Sequence, residues 1–322
     1  MLITLTILKQ GVRMKNNGLW LVFVALGVIW GCNPYFTQLS LPYLNPVEIV
    51  WWRVLCGMVP LLVMALCSKA LSWQHWRHAH HFVVMSLLAT TLYYILYAYG
   101  TALMPSGIAG VLSASIPLFT FVSSMLFLRQ ETVSKAAMLG MAWASVGIVL
   151  IAEPWKAEGG INALGVWAVL GGSLLIGLSF VYARRFLAPL KIKPIALSCY
   201  QMTFAFLTLL MTTPTDNLSH IFSSVQASFA LIVGLGILGT GVAYLAYYYL
   251  IEKMGAVLAS TSTYLPPVVA LIIGYVFANE TINLMQGVGI VVLLLGVACI
   301  QFGHALWRKW QDAPSAACEK QP

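Results

Sequence analysis

Residues 94–117, YILYAYGTALMPSGIAGVLSASIP, return 150 positions later as residues 244–267, YLAYYYLIEKMGAVLASTSTYLPP. In this register Tyr94, Tyr97, Tyr99, Met104, Ala109 and Pro117 fall on Tyr244, Tyr247, Tyr249, Met254, Ala259 and Pro267. Two unrelated apolar segments match by chance at Leu and Val, not at Tyr and Pro, so the chain carries an internal repeat. The register extends outward. After a one-residue slip, Glu131-Thr132, Gly140 and Gly147 fall on Glu280-Thr281, Gly289 and Gly296; upstream, Pro46 matches Pro194, with Arg53 and Gln201 each seven residues later.

The solvent of these segments follows from composition. The chain is 60% hydrophobic and only 8% charged, too few charges to cover a water-soluble surface. Ten apolar runs stand out, at 18–38, 46–68, 80–101, 105–128, 134–152, 162–183, 194–212, 226–251, 256–278 and 284–306. Each is near the ~20 residues that span a bilayer as helix, and each is apolar all round. With the N-terminus in the cytoplasm, fifteen of the seventeen Lys and Arg fall on the cytoplasmic side, Lys156 alone lies opposite, and Arg53 lies inside a span. That asymmetry puts both termini inside and requires an even span count. Trp73, Trp76, Trp307 and Trp310 stand at the cytoplasmic ends, where an interfacial belt belongs.

Five spans per repeat is an odd number, so the second repeat enters from the opposite face. The expected fold is an all-α membrane protein of ten transmembrane helices in two inverted five-helix repeats, residues 18–152 and 162–306. They are flanked by a cytoplasmic N-terminal segment, 1–17, and a cytoplasmic tail, 307–322. Met14-Lys15 reads as an alternative start. Inverted halves can exchange shapes around a shared hollow, the geometry of alternating access.

Several classes are excluded. The net charge of +8 is spread through short loops, so it reports orientation and not nucleic acid. All nine acids lie at span ends, in loops or in tails, with no carboxylate pair, nucleophile elbow or P-loop, so no catalysis, no cofactor and no direct use of ATP is expected. Of six cysteines, Cys32, Cys56, Cys67, Cys199 and Cys299 lie in or beside apolar runs without ligand spacing and read as small buried hydrophobes. His75, His78, His80 and His81 read as a basic interfacial loop, with metal binding the alternative.

The sequence around Trp30-Gly31-Cys32-Asn33-Pro34-Tyr35, with Pro46…Arg53, Pro117 and the Glu131 before Gly140…Gly147, resembles the EamA family of the drug/metabolite transporter superfamily over residues 15–306. The resemblance implies a multi-pass protein of the cell inner membrane, with a central cavity between spans 1, 3, 4, 6, 8 and 9. It also implies export of amino acids or other small metabolites. Multidrug efflux and a non-transporting sensor or assembly partner are the alternatives. The implied partners are a small-molecule solute and the lipid bilayer, with the chain a monomer or homodimer. One departure stands out: the second copy of the first motif, Gly177-Leu178-Ser179-Phe180, lacks the Trp.

Candidate site residues follow from polar groups placed in apolar runs. Arg53 lies about 10 Å into its span at 1.5 Å per residue, and an intramembrane charge is a functional hypothesis by default. It either attracts a carboxylate or phosphate, or is a structural group paired with Glu48 or backbone carbonyls, or snorkels to the outer edge. Tyr94 with Tyr97 and Tyr244 with Tyr247 each share a helix face at i, i+3. They form aromatic walls with polar tips, or, for Tyr97, Tyr99 and Tyr249 near span ends, an interfacial belt. Pro117 and Pro267 free the carbonyls of Ser113 and Thr263, and Pro266 that of Ser262. These prolines are the expected hinges, with Ser113, Thr263 and Tyr264 facing the solute. Asn33 and Ser179 are the deepest remaining polar candidates. Ala136, Gly140, Ala144 and Gly147, with Gly289 and Gly296, read as a close-packing face used within the fold or in a dimer.

Overall fold

The computed structural model describes residues 17–127, 135–153, 161–214, 216–254, 262 and 265–312, and contains no strand among them. Seven helices are long and apolar enough to cross a membrane, and three shorter apolar helices accompany them. In chain order they are α1 (Asn17–Ser40), α2 (Pro46–Cys67), α3 (Trp73–Ala102), α4 (Ser106–Phe127), α5 (Lys135–Ala152), α6 (Ala163–Leu190), α7 (Pro194–Thr212), α8 (225–254), α9 (Leu265–Phe277) and α10 (Leu284–Asp312). The chain is thus a ten-helix membrane protein, as its apolar runs predict. Several helices are longer than those runs, α3, α6 and α10 most clearly: α3 begins in a 3-10 turn at Trp73, α6 continues through a π turn at Ala183–Leu187, and α10 runs to Asp312.

Local chemistry sets the helix ends. Asn45 closes a capping box on α2: its side chain accepts from the Val47 and Glu48 N–H groups, and Glu48 accepts from the Asn45 N–H at 2.8 Å. Pro46 and Pro194 occupy first helical positions, where a missing N–H costs nothing. Glu280, in the turn after α9, caps α4 from a distance. Its carboxylate accepts the N–H and hydroxyl of Ser106 and the N–H of Gly107. Its repeat mate Glu131 lies outside the described residues.

The main helix pairs follow the repeat. α3 packs on α6 and α8 on α1; α4 on α6 and α9 on α1; α2 on α8 and α7 on α3; and α5 on α10, α4 on α9 and α2 on α7. Exchanging each helix with the one five places on maps this set onto itself. The correspondence reaches individual residues. Gly31 lies against Val269 and Gly177 against Phe119, and Val269 and Phe119 are 150 residues apart. Gly147 lies against Leu293 and Gly296 against Ala144, two contacts related by a shift of 149. None of these glycines has room for a Cβ, so the small-residue face of α5 and α10 is used inside the fold.

Large apolar side chains cover the outside, among them Leu21, Leu139, Trp167 and Leu284. A surface of this kind would aggregate in water and suits hydrocarbon. Trp73 and Trp76 stack on each other, with Trp73 87% exposed, consistent with an interfacial position.

Candidate functional site

A buried polar cluster is built on Arg53. Its side chain is 6% exposed although it lies within the apolar span of α2. Three other helices surround it. From α8, Thr240 accepts a hydrogen bond from Arg53 Nε at 3.1 Å. From α3, Tyr94 places its ring 3.8 Å beneath the guanidinium carbon, a cation–π contact. From α1, the Asn33 amide, in the orientation that satisfies both its ends, accepts from Arg53 Nη2 at 3.1 Å and donates to the Ile29 carbonyl at 3.3 Å. Gly239 on α8 is in contact with the Asn33 amide and leaves no room for a Cβ there.

Among the described residues Arg53 forms no salt bridge. The proposed pair with Glu48 is absent, because Glu48 turns back to cap its own helix. A guanidinium has five N–H donors. Thr240 and Asn33 take two, leaving the outer fork of the group largely unspent. An arginine fork of this kind binds planar carboxylates and phosphates by two parallel hydrogen bonds.

A second polar contact adjoins the first. The Tyr97 and Ser113 side chains are neighbours, and the Ser113 hydroxyl donates to the Gly110 carbonyl at 2.6 Å. Tyr93 bridges the two sets, its ring 5.2 Å from that of Tyr94 and 5.9 Å from that of Tyr97. Tyr97 is 7% exposed, while Tyr99 and Tyr249 are each 44% exposed. The belt reading therefore suits Tyr99 and Tyr249. It does not suit Tyr97, which is buried in the bundle.

The structure brings Asn33, Arg53, Tyr94, Tyr97 and Ser113 to one region. Tyr244 is half-buried and packs against the cluster containing Val54 and Tyr94. Tyr247 meets the ring of Trp30 at 5.7 Å. Ser179 is buried and donates to the Ile176 carbonyl at 2.7 Å, apart from the Arg53 group. Thr263, Tyr264 and the side chain of Pro117 lie outside the described residues. The backbone of α4 tightens into a 3-10 turn at Ser113–Ser115 just before Pro117, the local effect of a missing amide donor. Pro266 and Pro267 lie in the first described turn of α9. His75 and His81 bond the hydroxyls of Tyr200 and Tyr182, and no metal-binding group exists among the described residues.

Sequence reasoning missed Thr240. A lone Thr in an apolar run carries no signal of its own, but the repeat register aligns it with Thr90, and that alignment would have marked both.

The EamA-like transporter family matches this chain twice, over residues 17–152 and 163–302. The chain belongs to the EamA-like transporter family. An uncharacterized transporter of Archaeoglobus fulgidus is 26% identical over 278 residues, covering 86% of this chain and 96% of that protein. The inner membrane transporter YedA of Escherichia coli is 25% identical over 291 residues, 88% of this chain and 90% of YedA. A solved crystal structure shares the fold at a TM-score of 0.57 and 18% identity, covering 88% of this chain and 96% of that one. An EamA-like transporter handles small solutes in a membrane.

Proposed function

We propose that this EamA-like protein is a secondary transporter of the inner membrane that exports a small carboxylate-bearing metabolite, such as an amino acid or derivative. It works by alternating access between two inverted repeats, 18–152 and 162–306, with both termini in the cytoplasm. The observation carrying the reading is Arg53: a buried cation with no salt bridge among the described residues and an unspent donor fork. Keeping such a group in a membrane span costs on the order of 3 kcal/mol, and a solute anion would offset that cost. Tyr93, Tyr94 and Tyr97 supply a wall for the apolar part of the solute.

Efflux of cationic drugs is the weaker reading, because it needs an acid where this site holds a base. The test is counterflow in proteoliposomes over a panel of amino acids and related carboxylates, with wild-type protein and Arg53→Gln. Selective loss of anionic solutes in the variant is expected. Equal flux of anionic and neutral solutes through both proteins would reject the role of Arg53.

A further inference from the structure

Two hydrogen bonds inside the helical bundle are copies of each other. Arg53 Nε donates to Thr240 Oγ1 at 3.1 Å, from the first repeat to the second; Gln201 Nε2 donates to Thr90 Oγ1 at 2.7 Å, from the second to the first. Gln201 follows Arg53 by 148 residues and Thr240 follows Thr90 by 150, the offsets of the repeat itself. Both bonds are buried, and each joins a long donor on one repeat to a threonine on the other.

Both threonines stand in π-helical segments, Thr90 in Leu87–Thr91 and Thr240 in Ala230–Val242. Such i→i+5 turns are rare and concentrate at functional sites. Elsewhere the hydroxyls of Thr37, Thr101 and Thr120 return to the carbonyl four residues back. Thr240 reaches five back, to Leu235, at 2.9 Å. Its proton is thereby committed to its own helix, and what it can offer Arg53 is an acceptor lone pair in a fixed direction.

The guanidinium is thus held on three sides: Nε by Thr240, one Nη2 proton by Asn33, and one face by Tyr94. Among the described residues the rest of the Nη edge has no hydrogen-bond partner, and that is the edge that takes a carboxylate end-on. We propose that Thr240 is a positioning residue for solute recognition: supplied by the opposite repeat, it fixes the Nε edge of Arg53 so that the Nη fork faces the solute carboxylate, and Thr90 does the same for Gln201, the neutral mate of Arg53. The two poles are close along α3, since Thr90 and Tyr94 are one turn, about 6 Å, apart. The proposal rests on the reading of Arg53 as the anion-binding group.

Benzoate and benzamide provide the test, because they share a shape and only benzoate carries a carboxylate. Ligand-observed NMR titrations use the full chain purified in detergent. Wild type should prefer benzoate on the order of tenfold or more. Arg53→Gln should erase that preference. Thr240→Val keeps the methyl that packs on Gly57 and removes the acceptor; it should cut the preference severalfold. Thr240→Ser keeps the acceptor and loses the methyl, and it should retain the wild-type preference. Thr90→Val should weaken both ligands alike. If Thr240→Val does not fold, Thr240→Ala makes the same comparison. A preference that vanishes in Arg53→Gln but survives intact in Thr240→Val overturns the positioning role and leaves the Arg53 site standing. Equal losses in Thr240→Val and Thr240→Ser also overturn it, by assigning the residue to packing. No benzoate preference in wild type, or one that persists in Arg53→Gln, overturns both readings.

Discussion

Replacing Arg53 by Gln should leave the folded protein nearly as stable as wild type, even though it removes a buried group with three protein contacts. The supports lost are the Nε bond to Thr240, the Nη2 bond to Asn33 and the stacking on Tyr94. Two charge-assisted bonds and one cation–π contact contribute roughly 4–5 kcal/mol. Against this, removing an arginine from the interior of a span relieves about 3 kcal/mol. The glutamine can also restore one bond to Thr240, worth about 1 kcal/mol, as Gln201 does with Thr90. The net change is under about 1 kcal/mol. A structural buried ion pair behaves differently: breaking it costs about 3–5 kcal/mol. Thermal and SDS-titrated unfolding of both proteins in detergent measures the difference. A loss of 3 kcal/mol or more would refute the argument and return Arg53 to a structural role.

Two further perturbations probe the frame. Glu280→Ala removes the acceptor of three bonds at the start of α4; a loss of roughly 3 kcal/mol and faster hydrogen exchange at Ser106 and Gly107 are expected, and unchanged exchange would show that the cap is dispensable. Gly147→Leu forces a side chain into the backbone of Leu293 across the α5–α10 contact and should cost about 2–3 kcal/mol, read as a lowered melting temperature. Gly287→Leu on α10 enters open space and should melt within about 1 °C of wild type.

The ten spans were legible because a bilayer forces each crossing to satisfy its own backbone, which writes a long apolar run into the sequence. The repeat was legible through Tyr, Pro and Glu, residues rare enough in apolar runs for coincidence in register to carry information. Arg53, Asn33 and Tyr94 were each recognisable as polar groups at membrane depth, and they meet. Their shared partner Thr240 was not recognised. A threonine in a span usually satisfies itself on its own helix, as Thr37 does, and no apolar periodicity announces a π turn. Tyr97 lies near a span end and reads equally well as a belt residue; its burial comes from packing against residues of other helices, such as Ile108 and Val169, contacts that a single-chain pattern does not encode. Ser179 corresponds to Asn33 in the repeat but bonds its own helix, so the two halves share a frame without sharing every polar contact.

The most direct test of the whole account is solute exchange itself, measured as accumulation of a labelled carboxylate metabolite by proteoliposomes preloaded with the same unlabelled solute. The account predicts saturable, trans-stimulated uptake above protein-free liposomes for at least one carboxylate in the panel, lost in Arg53→Gln while the folded fraction is unchanged. Uptake equal to that of empty liposomes for every carboxylate, with the protein shown to be folded and inserted, would contradict it.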